Sequence, residues 1–278
     1  MYQVSITARA EDEDRLTETL FSLGADSVSS CESDREEVVL MAIFDDIREV
    51  QNFFSEDQYV VQKMGDEVWK YRWLEFFQGY PVNDTIYIIP VTSDHRPPGE
   101  YSRVIRLDPR DAFGDGRHPT TSLCLIKLEE ILLLMAEDER RRLELLDVGT
   151  GTGVLSILAA IMDVGTIDAI DIEEAAVENA RYNASINGCE RIRFFASGVA
   201  EFAAGDGYDL VVANLLTWIV KENIGKLKSL VRDSGTLIVS GISNMWHDEA
   251  MGIFASAGLL LLGHESRDGW NCYILKKS

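Results

Sequence analysis

A short glycine-rich turn constrains the fold of this 278-residue chain more than any other feature. The segment Asp147–Gly153 reads D-V-G-T-G-T-G, follows an apolar strand pattern and precedes an apolar helical run. Alternate glycines allow a sharp turn from strand to helix, and they let backbone N–H groups approach a ligand closely. In an open α/β sheet, ligands lie beyond the carboxyl ends of the strands, so this turn predicts a cofactor site.

Predicted strands and helices alternate through the C-terminal part of the chain. The strands cover 143–148, 167–172, 192–196, 208–215 and 236–242, and the helices cover 119–136, 153–162, 174–187, 218–231 and 246–257. Such alternation predicts an α/β fold with a mostly parallel sheet and helices on both faces. The end of the chain, over 259–263 and 270–275, reads as a hairpin that adds a terminal antiparallel strand.

The N-terminal part of the chain has a different organisation. Residues 1–64 show short strand and helix patterns in the order βαββαβ, which predicts a small ferredoxin-like α+β domain. Residues 65–100 include the aromatic segment Trp69–Phe77 and several prolines, and they read as a linker that packs. The large α/β domain is then predicted over residues 101–278.

The composition restricts the partners and the location of the protein. The chain carries 47 Asp and Glu against 26 Lys and Arg, a net charge of −21, which argues against nucleic acid and favours basic partners. A solvated acidic surface explains the charge equally well. Neither a signal peptide nor an apolar run of the ~20 residues that span a bilayer is visible. The four cysteines lack metal-site or disulfide spacing, so we expect a cytoplasmic protein with no metal.

The glycine spacing separates this turn from other nucleotide-binding turns. A dinucleotide fold has G-x-G-x-x-G, whereas Val154 stands at the third glycine position, and the Gly-Lys-Ser/Thr of a P-loop is missing. Asp147 precedes the first glycine and Asp171 ends the next predicted strand, and this pattern resembles class I methyltransferases. The resemblance implies that Asp171 accepts hydrogen bonds from ribose hydroxyls. A turn that only permits tight helix–strand packing is the alternative.

Two further segments place polar residues beside the predicted cofactor site. The loop Phe113–Thr121, F-G-D-G-R-H-P-T-T, is dense in turn-forming residues and leads into a helix. It reads as a functional loop, or as a plain helix cap by Thr120 or Thr121. His118 is a candidate proton acceptor, with a structural hydrogen-bonding role as the alternative. Asn214 ends a buried strand, where its amide oxygen could orient an amine or cap the next helix.

These three segments together resemble the PrmA family, the bacterial methyltransferases of large-subunit ribosomal protein eleven. The resemblance covers most of the chain, since the family also has an N-terminal ferredoxin-like domain, a W-x-x-x-W linker and a class I catalytic domain. It implies S-adenosylmethionine as cofactor, with contacts from Thr121, Gly149, Asp171 and Asn214. From the residues themselves, Asn214 and His118 are the predicted catalytic positions. The predicted cofactor-binding residues lie on the turn and on the segments beside it: Thr121, Asp147, Gly149, Gly151, Gly153, Asp171 and Asn214.

The resemblance also implies a substrate and a mechanism. Methyl groups would pass by direct in-line displacement to the α-amine and lysine amines of a basic ribosomal protein, which the acidic N-terminal domain would hold. Asp115 and Arg117 replace threonines that are usual in the family's loop, and Trp218 is bulky beside the acceptor position, which leaves the specificity open. The general base, the number of methyl groups and the oligomeric state also remain open.

Three rival interpretations remain at the level of the sequence. The first is a class I methyltransferase that acts on another protein, on RNA or on a small amine. The second is a non-catalytic protein that only binds S-adenosylmethionine. The third is a nicotinamide oxidoreductase, against which the valine at the third glycine position argues.

Overall fold

The structure of the protein, a computed structural model, has two compact units, over residues 1–76 and 77–278. The tryptophans of the predicted linker, Trp69 and Trp73, lie outside the described residues. The described residues are 2–9, 12–25, 27–34, 37–44, 46–55, 57–63, 79–91, 97–108, 112–203 and 205–277.

The first unit is a four-stranded antiparallel sheet with two helices. Its elements are β1 (Tyr2–Arg9), α1 (Glu13–Ser22), β2 (Ser27–Asp34), β3 (Glu37–Phe44), α2 (Arg48–Phe53) and β4 (Val60–Lys63). The strand order is β2-β3-β1-β4, which is the ferredoxin-like arrangement predicted from the sequence.

One apolar cluster holds the first unit together. Alternate residues of β1 and β3 point to the same face of the sheet, because side chains of a strand alternate between faces. Leucines four residues apart on α1 and one valine of α2 cover that face. The central members of the cluster are Val4, Ile6, Leu16, Leu20, Leu40, Phe44 and Val50. Both helices therefore pack on one side of the sheet.

The second unit is built on a seven-stranded sheet. Its strands are β8 (Glu144–Val148), β9 (Thr166–Asp171), β10 (Arg193–Ala196), β11 (Tyr208–Asn214), β12 (Val231–Ser243), β13 (Leu259–Arg267) and β14 (Trp270–Lys277). Their order is β10-β9-β8-β11-β12-β14-β13. The pairs among β8 to β12 are parallel, and β14 runs antiparallel to both β12 and β13. The predicted mostly parallel sheet with a terminal antiparallel strand is confirmed.

Helices connect these strands, as the alternating pattern predicted. They are α3 (Pro119–Leu133), α4 (Glu137–Arg140), α5 (Val154–Ile161), α6 (Glu174–Ile186), α7 (Thr217–Leu230), a 3₁₀ turn (Asn244–Trp246) and α8 (His247–Ser256). Of these, the short α4 was not predicted, since four residues are too few to show a helical period. Among the described residues, no helix combines the length and the apolar character needed to cross a bilayer.

Part of the segment that the sequence suggested as a linker forms regular structure in the second unit. Strands β5 (Tyr80–Pro81), β6 (Ile86–Pro90) and β7 (Arg103–Leu107) make a small separate sheet in the order β5-β6-β7. All five residues of β6 are buried. A continuous apolar run of that kind is typical of a strand covered on both faces.

A buried carboxylate fastens this small sheet to α3. Glu129 is 3% exposed, and it accepts hydrogen bonds from Asn83 Nδ2, Thr85 Oγ1 and Arg103 Nη1, each at 2.6 Å. The Arg103 side chain is largely buried as well. Three donors satisfy the carboxylate, and the arginine balances its charge, so a buried ion can be tolerated here.

We expect Glu129→Ala to lower the free energy of unfolding by about 3 kcal/mol, because Arg103 would keep a buried charge without its partner. Urea denaturation followed by tryptophan fluorescence measures this change. The matched control is Glu130→Ala, on the next position of α3, where an exposed carboxylate pairs with Lys127. That control should change stability by less than about 0.5 kcal/mol, and an equal loss in both variants would contradict the assignment.

Candidate functional site

The candidate site lies where the strand order of the large sheet reverses direction. From β8, the chain proceeds to β9 and β10 on one side, while β11 and β12 lie on the other side. At such a switch point the loops from neighbouring strands separate and leave a crevice at the carboxyl edge. The glycine turn follows β8 at this edge, as predicted.

The glycines of the turn adopt backbone conformations that other residues rarely reach. Gly149, Gly151 and Gly153 have φ of +72°, +51° and +81°. A Cβ atom at Gly151 would collide with the carbonyl oxygen of Phe113, and one at Gly149 would collide with the Leu215 side chain. Glycine is therefore required by the backbone angle and also by the close approach of two neighbouring loops.

Asp147 lies beneath the turn and is fully buried. Its Oδ2 accepts hydrogen bonds from the hydroxyls of Thr150 at 2.8 Å and Ser156 at 2.7 Å. Its Oδ1 is buried and has no hydrogen-bond partner among the described residues. Burial raises the pKa of this carboxyl to about 6, and the two hydroxyl donors oppose the rise. One carboxylate oxygen thus remains able to accept a bond from a group outside the chain.

Asp171 ends β9, the neighbouring strand, and faces the turn. Its Oδ2 accepts from the Gly151 N–H at 2.9 Å, and its Oδ1 accepts from the Glu173 N–H at 3.1 Å. The side chain is partly exposed. A carboxylate has about four acceptor positions, so these two bonds fix its orientation and leave further positions for a ligand.

The loop before α3 closes onto the glycine turn. The Thr152 N–H donates to Phe113 O at 3.0 Å, and the Thr152 hydroxyl donates to Gly114 O at 2.6 Å. The Tyr80 hydroxyl donates to Asp115 O further along the loop. Asp115 also pairs with Arg117 at 2.6 Å. The charges of Asp115 and Arg117 therefore neutralise each other within the loop.

His118 ends this loop and caps α3. Its Nδ1 lies 2.8 Å from the Thr120 hydroxyl and accepts from the Thr120 N–H at 3.4 Å. The interpretation of Thr120 or Thr121 as the cap is wrong, because the helix begins at Pro119 and its N-cap residue is His118. Burial lowers the pKa of His118 to about 4, against the opposing charge of Asp115, so the ring is neutral at pH 7.

An aromatic residue that the sequence did not single out packs on His118. Trp270 begins β14, and its ring centroid lies 5.0 Å from that of His118. The His118 ring also lies 5.5 Å from the Phe113 ring, centroid to centroid. Trp270 reaches the carboxyl edge because it pairs with Ser243 at the end of β12. The only sequence signal was its position after the hairpin turn, and that signal does not predict which strand it pairs with.

Asn214 and Thr121 meet across the interface between β11 and α3. The amide nitrogen Nδ2 of Asn214 donates to Thr121 Oγ1 at 3.1 Å. The alternative in which Asn214 caps the next helix is wrong, since the N-cap of α7 is Leu216 and no side chain bonds there. Asn214 Oδ1 makes no hydrogen bond within the described part of the chain. It is therefore available to accept one.

The structure brings the predicted residues to one edge of one sheet, from four separate segments. No group of three or more His, Cys, Asp and Glu side chains in the described ranges could hold a metal ion. The arrangement combines a glycine turn, two carboxylates and an amide that can accept from a donor. Such a site can bind a nucleoside-like cofactor beside a small polar acceptor.

The model of the family Ribosomal protein L11 methyltransferase (PrmA) matches residues 1–278. The chain belongs to this family. It is an S-adenosylmethionine-dependent methyltransferase with a class I fold. The oxidoreductase interpretation is thereby excluded.

Named relatives resemble the chain at moderate identity. The ribosomal protein L11 methyltransferase of Streptococcus mutans is 33% identical over 223 residues, which are 80% of this chain and 67% of the relative. The protein of that name from Streptococcus pneumoniae is 29% identical over 312 residues, covering 99% of this chain and 96% of the relative. The crystal structure of ribosomal protein L11 methylase from Lactobacillus delbrueckii subsp. bulgaricus has a TM-score of 0.65 and 27% identity, covering 73% of this chain and 100% of that one.

We expect Gly151→Ala to destabilise the protein by at least about 1 kcal/mol, because the new Cβ would displace the Phe113 carbonyl and the backbone would be strained. Thermal unfolding measures the change. The control is Gly225→Ala on α7, where a Cβ meets nothing within 4 Å. That variant should be stabilised by up to about 1 kcal/mol. Equal effects would refute the close approach of the loop to the turn.

The low pKa of His118 predicts a pH dependence of stability. The unfolded histidine, with a pKa of 6.5, binds a proton in a range where the folded one, at about 4, does not. The stability contributed by His118 is therefore present above about pH 6.5 and is lost as the pH falls towards about 4. The opposite effect of Asp147, whose pKa is raised, cancels when the wild type is compared with a His118 variant.

Between about pH 7 and about pH 5, the wild type should lose about 1–2 kcal/mol more stability than His118→Gln does. Urea denaturation at both pH values measures the difference. Equal losses of stability in the two proteins would mean that the His118 ring is already protonated in the folded state at about pH 5.

Proposed function

We propose that this protein transfers methyl groups from S-adenosylmethionine to the α-amine and lysine side-chain amines of ribosomal protein L11. The observation that carries the proposal is the Asn214–Thr121 pair at the glycine turn, in a chain that matches the family along its whole length. The names of the relatives supply the acceptor protein. A ribosomal acceptor would place the enzyme in the cytoplasm.

The residues present fit the cofactor. S-adenosylmethionine supplies a methyl group that its positively charged sulfonium has already activated for transfer. The left-handed backbone of Gly149 and Gly151 forms the turn beside which the cofactor would bind, and Asp171 has acceptor positions for ribose hydroxyls. The unpartnered Oδ1 of Asp147 supports a positively polarised group nearby, because a buried acceptor without a donor is costly. Thr121 and Gly153 complete the proposed binding set around the turn.

Asn214 is the proposed orienting residue for the acceptor amine. Its Nδ2 is held by Thr121, so its Oδ1 has a fixed direction and can accept an N–H bond from a neutral amine. Fixing the nitrogen in line with the methyl carbon lowers the entropic cost of the transfer. The enzyme thus contributes orientation and exclusion of water, and no covalent intermediate is needed.

The amine must be neutral before it can react. A lysine ammonium has a reference pKa of ~10.4, and burial beside apolar side chains lowers that pKa. His118 contributes little as a base, because its pKa of about 4 makes it a weak proton acceptor and its Nδ1 is engaged by Thr120. We propose that His118 holds the loop and that desolvation promotes loss of the proton.

The N-terminal unit is the proposed holder of the acceptor protein. Residues 1–70 contain 17 Asp and Glu and 6 Lys and Arg, and this acidity complements a basic ribosomal protein. The same charge disfavours direct binding of nucleic acid. Its ferredoxin-like sheet is separate from the sheet of the methyltransferase fold and can contact a macromolecule.

Mass spectrometry of ribosomal large-subunit proteins, after incubation with the full-length enzyme and S-adenosylmethionine, tests the proposal. We expect successive methyl additions on L11, at its N-terminus and at lysines. Asn214→Ala should lower kcat about 100-fold with little change in cofactor affinity. Asp171→Ala should weaken cofactor binding at least about tenfold, measured by calorimetry.

The control is Asp138→Ala, an exposed acid on α4, which should alter neither quantity. Transfer to rRNA or to a small amine in place of the protein would refute the proposed acceptor. Cofactor binding without transfer to any protein would support a non-catalytic binding role.

A further inference from the structure

Two of the large apolar side chains exposed at the carboxyl edge of the sheet follow β11 and β12. Trp218 lies in the first turn of α7, and Met245 lies in the 3₁₀ turn, and each is 55% exposed. Trp218 follows β11 and Met245 follows β12, and these two strands are neighbours. Three residues lie between Asn214 and Trp218, so the exposed pair, which we name the rim pair, lies at the ends of the strand that carries the proposed acceptor position and of its neighbour.

The segments that carry the rim pair are joined by specific contacts. Lys221 Nζ lies 4.0 Å from the Trp246 ring centroid and 2.8 Å from the carboxylate of Glu249. Lys221 is one helical turn beyond Trp218 and on the same side of α7. Met245 directly precedes Trp246. The cation–π contact and the ion pair therefore join the start of α7, which carries Trp218, to the 3₁₀ turn, which carries Met245.

The carboxyl edge around the rim pair is acidic. The Lys and Arg residues that the structure describes at this edge are each matched with an acid. These pairs are Arg117 with Asp115, Lys221 with Glu249, and Arg267 with Glu265. Glu222, Asp248 and Asp268 are exposed nearby and make no ion pair in the described part of the chain. A surplus of negative charge surrounds the two apolar side chains.

The amino edge of the same sheet carries charges of both signs. Arg141 pairs with Glu137, and Arg191 pairs with Asp163. The surplus of acids at the carboxyl edge attracts a basic partner to that edge. An apolar pair within an acidic surround suits a basic protein segment that also carries an apolar residue.

We propose that the rim pair, Trp218 and Met245, binds an apolar side chain next to the amine-bearing residue, within a basic segment of the acceptor protein. The inference rests on the proposed transfer to a protein amine and adds a determinant of specificity to it. Burial of an indole ring removes a large apolar area from water, and the surrounding acids select a basic context. Trp218 thus acts in acceptor selection, away from the cofactor.

Steady-state kinetics with L11 as acceptor tests this inference. We expect Trp218→Ala and Met245→Ala each to raise KM for L11 about tenfold, with kcat and the Kd of S-adenosylmethionine unchanged. Trp218→Phe should retain most of the affinity, since it keeps an aromatic ring. The matched control is Leu134→Ala, which removes a side chain that is 89% exposed at the end of α3. It should leave KM unchanged.

An unaltered KM in both rim variants would overturn the inference, as would equal effects from Leu134→Ala. Loss of cofactor affinity in parallel with the rise in KM would assign the residues to the cofactor site and also overturn it. Failure of the proposed function is distinguishable, because the wild type itself would then transfer no methyl group to L11.

Discussion

The closure of one loop onto the glycine turn determines the arrangement of the whole site. Because Gly151 has no side chain, the Phe113 carbonyl can reach the Thr152 N–H, and this bond fixes the start of the loop. The loop then ends at His118, which caps α3. Since α3 carries Thr121, the hydrogen bond between Asn214 and Thr121 depends on the same contact. The absence of a side chain at Gly151 thus allows the loop contact on which the hydrogen bond between Asn214 and Thr121 depends.

The order of elements was predictable because it depends on local periodicity and on turn residues. Strand and helix patterns predicted the class I sheet and the ferredoxin-like unit, and the glycine spacing placed the site. Contacts between distant segments were not predictable in this way. Trp270 packs on His118 only because β14 inserts between β12 and β13. Tyr80 reaches Asp115 from a segment that composition alone suggested as a linker.

Individual side-chain roles were harder to predict than the fold, because several residue types compete for one task. Threonine is a common N-cap residue, yet His118 occupies the N-cap because Pro119 begins the helix at the next position. Asparagine also favours caps, yet Asn214 finds a hydroxyl on α3 instead. In both cases the tertiary partner decides, and a single sequence does not name it.

The surplus of acids at the carboxyl edge affects the enzyme before any contact is made. Glu222, Asp248 and Asp268 make no ion pair in the described part of the chain, and they concentrate negative charge on one side of the catalytic unit. In the field of a polycation such a body turns while it diffuses, so collisions begin with the catalytic edge foremost. Added salt shortens the range of that torque to a few ångströms, on the order of the Debye length at ~1 M. Ionic strength then alters how often encounters are productive, whereas the chemistry after docking stays the same.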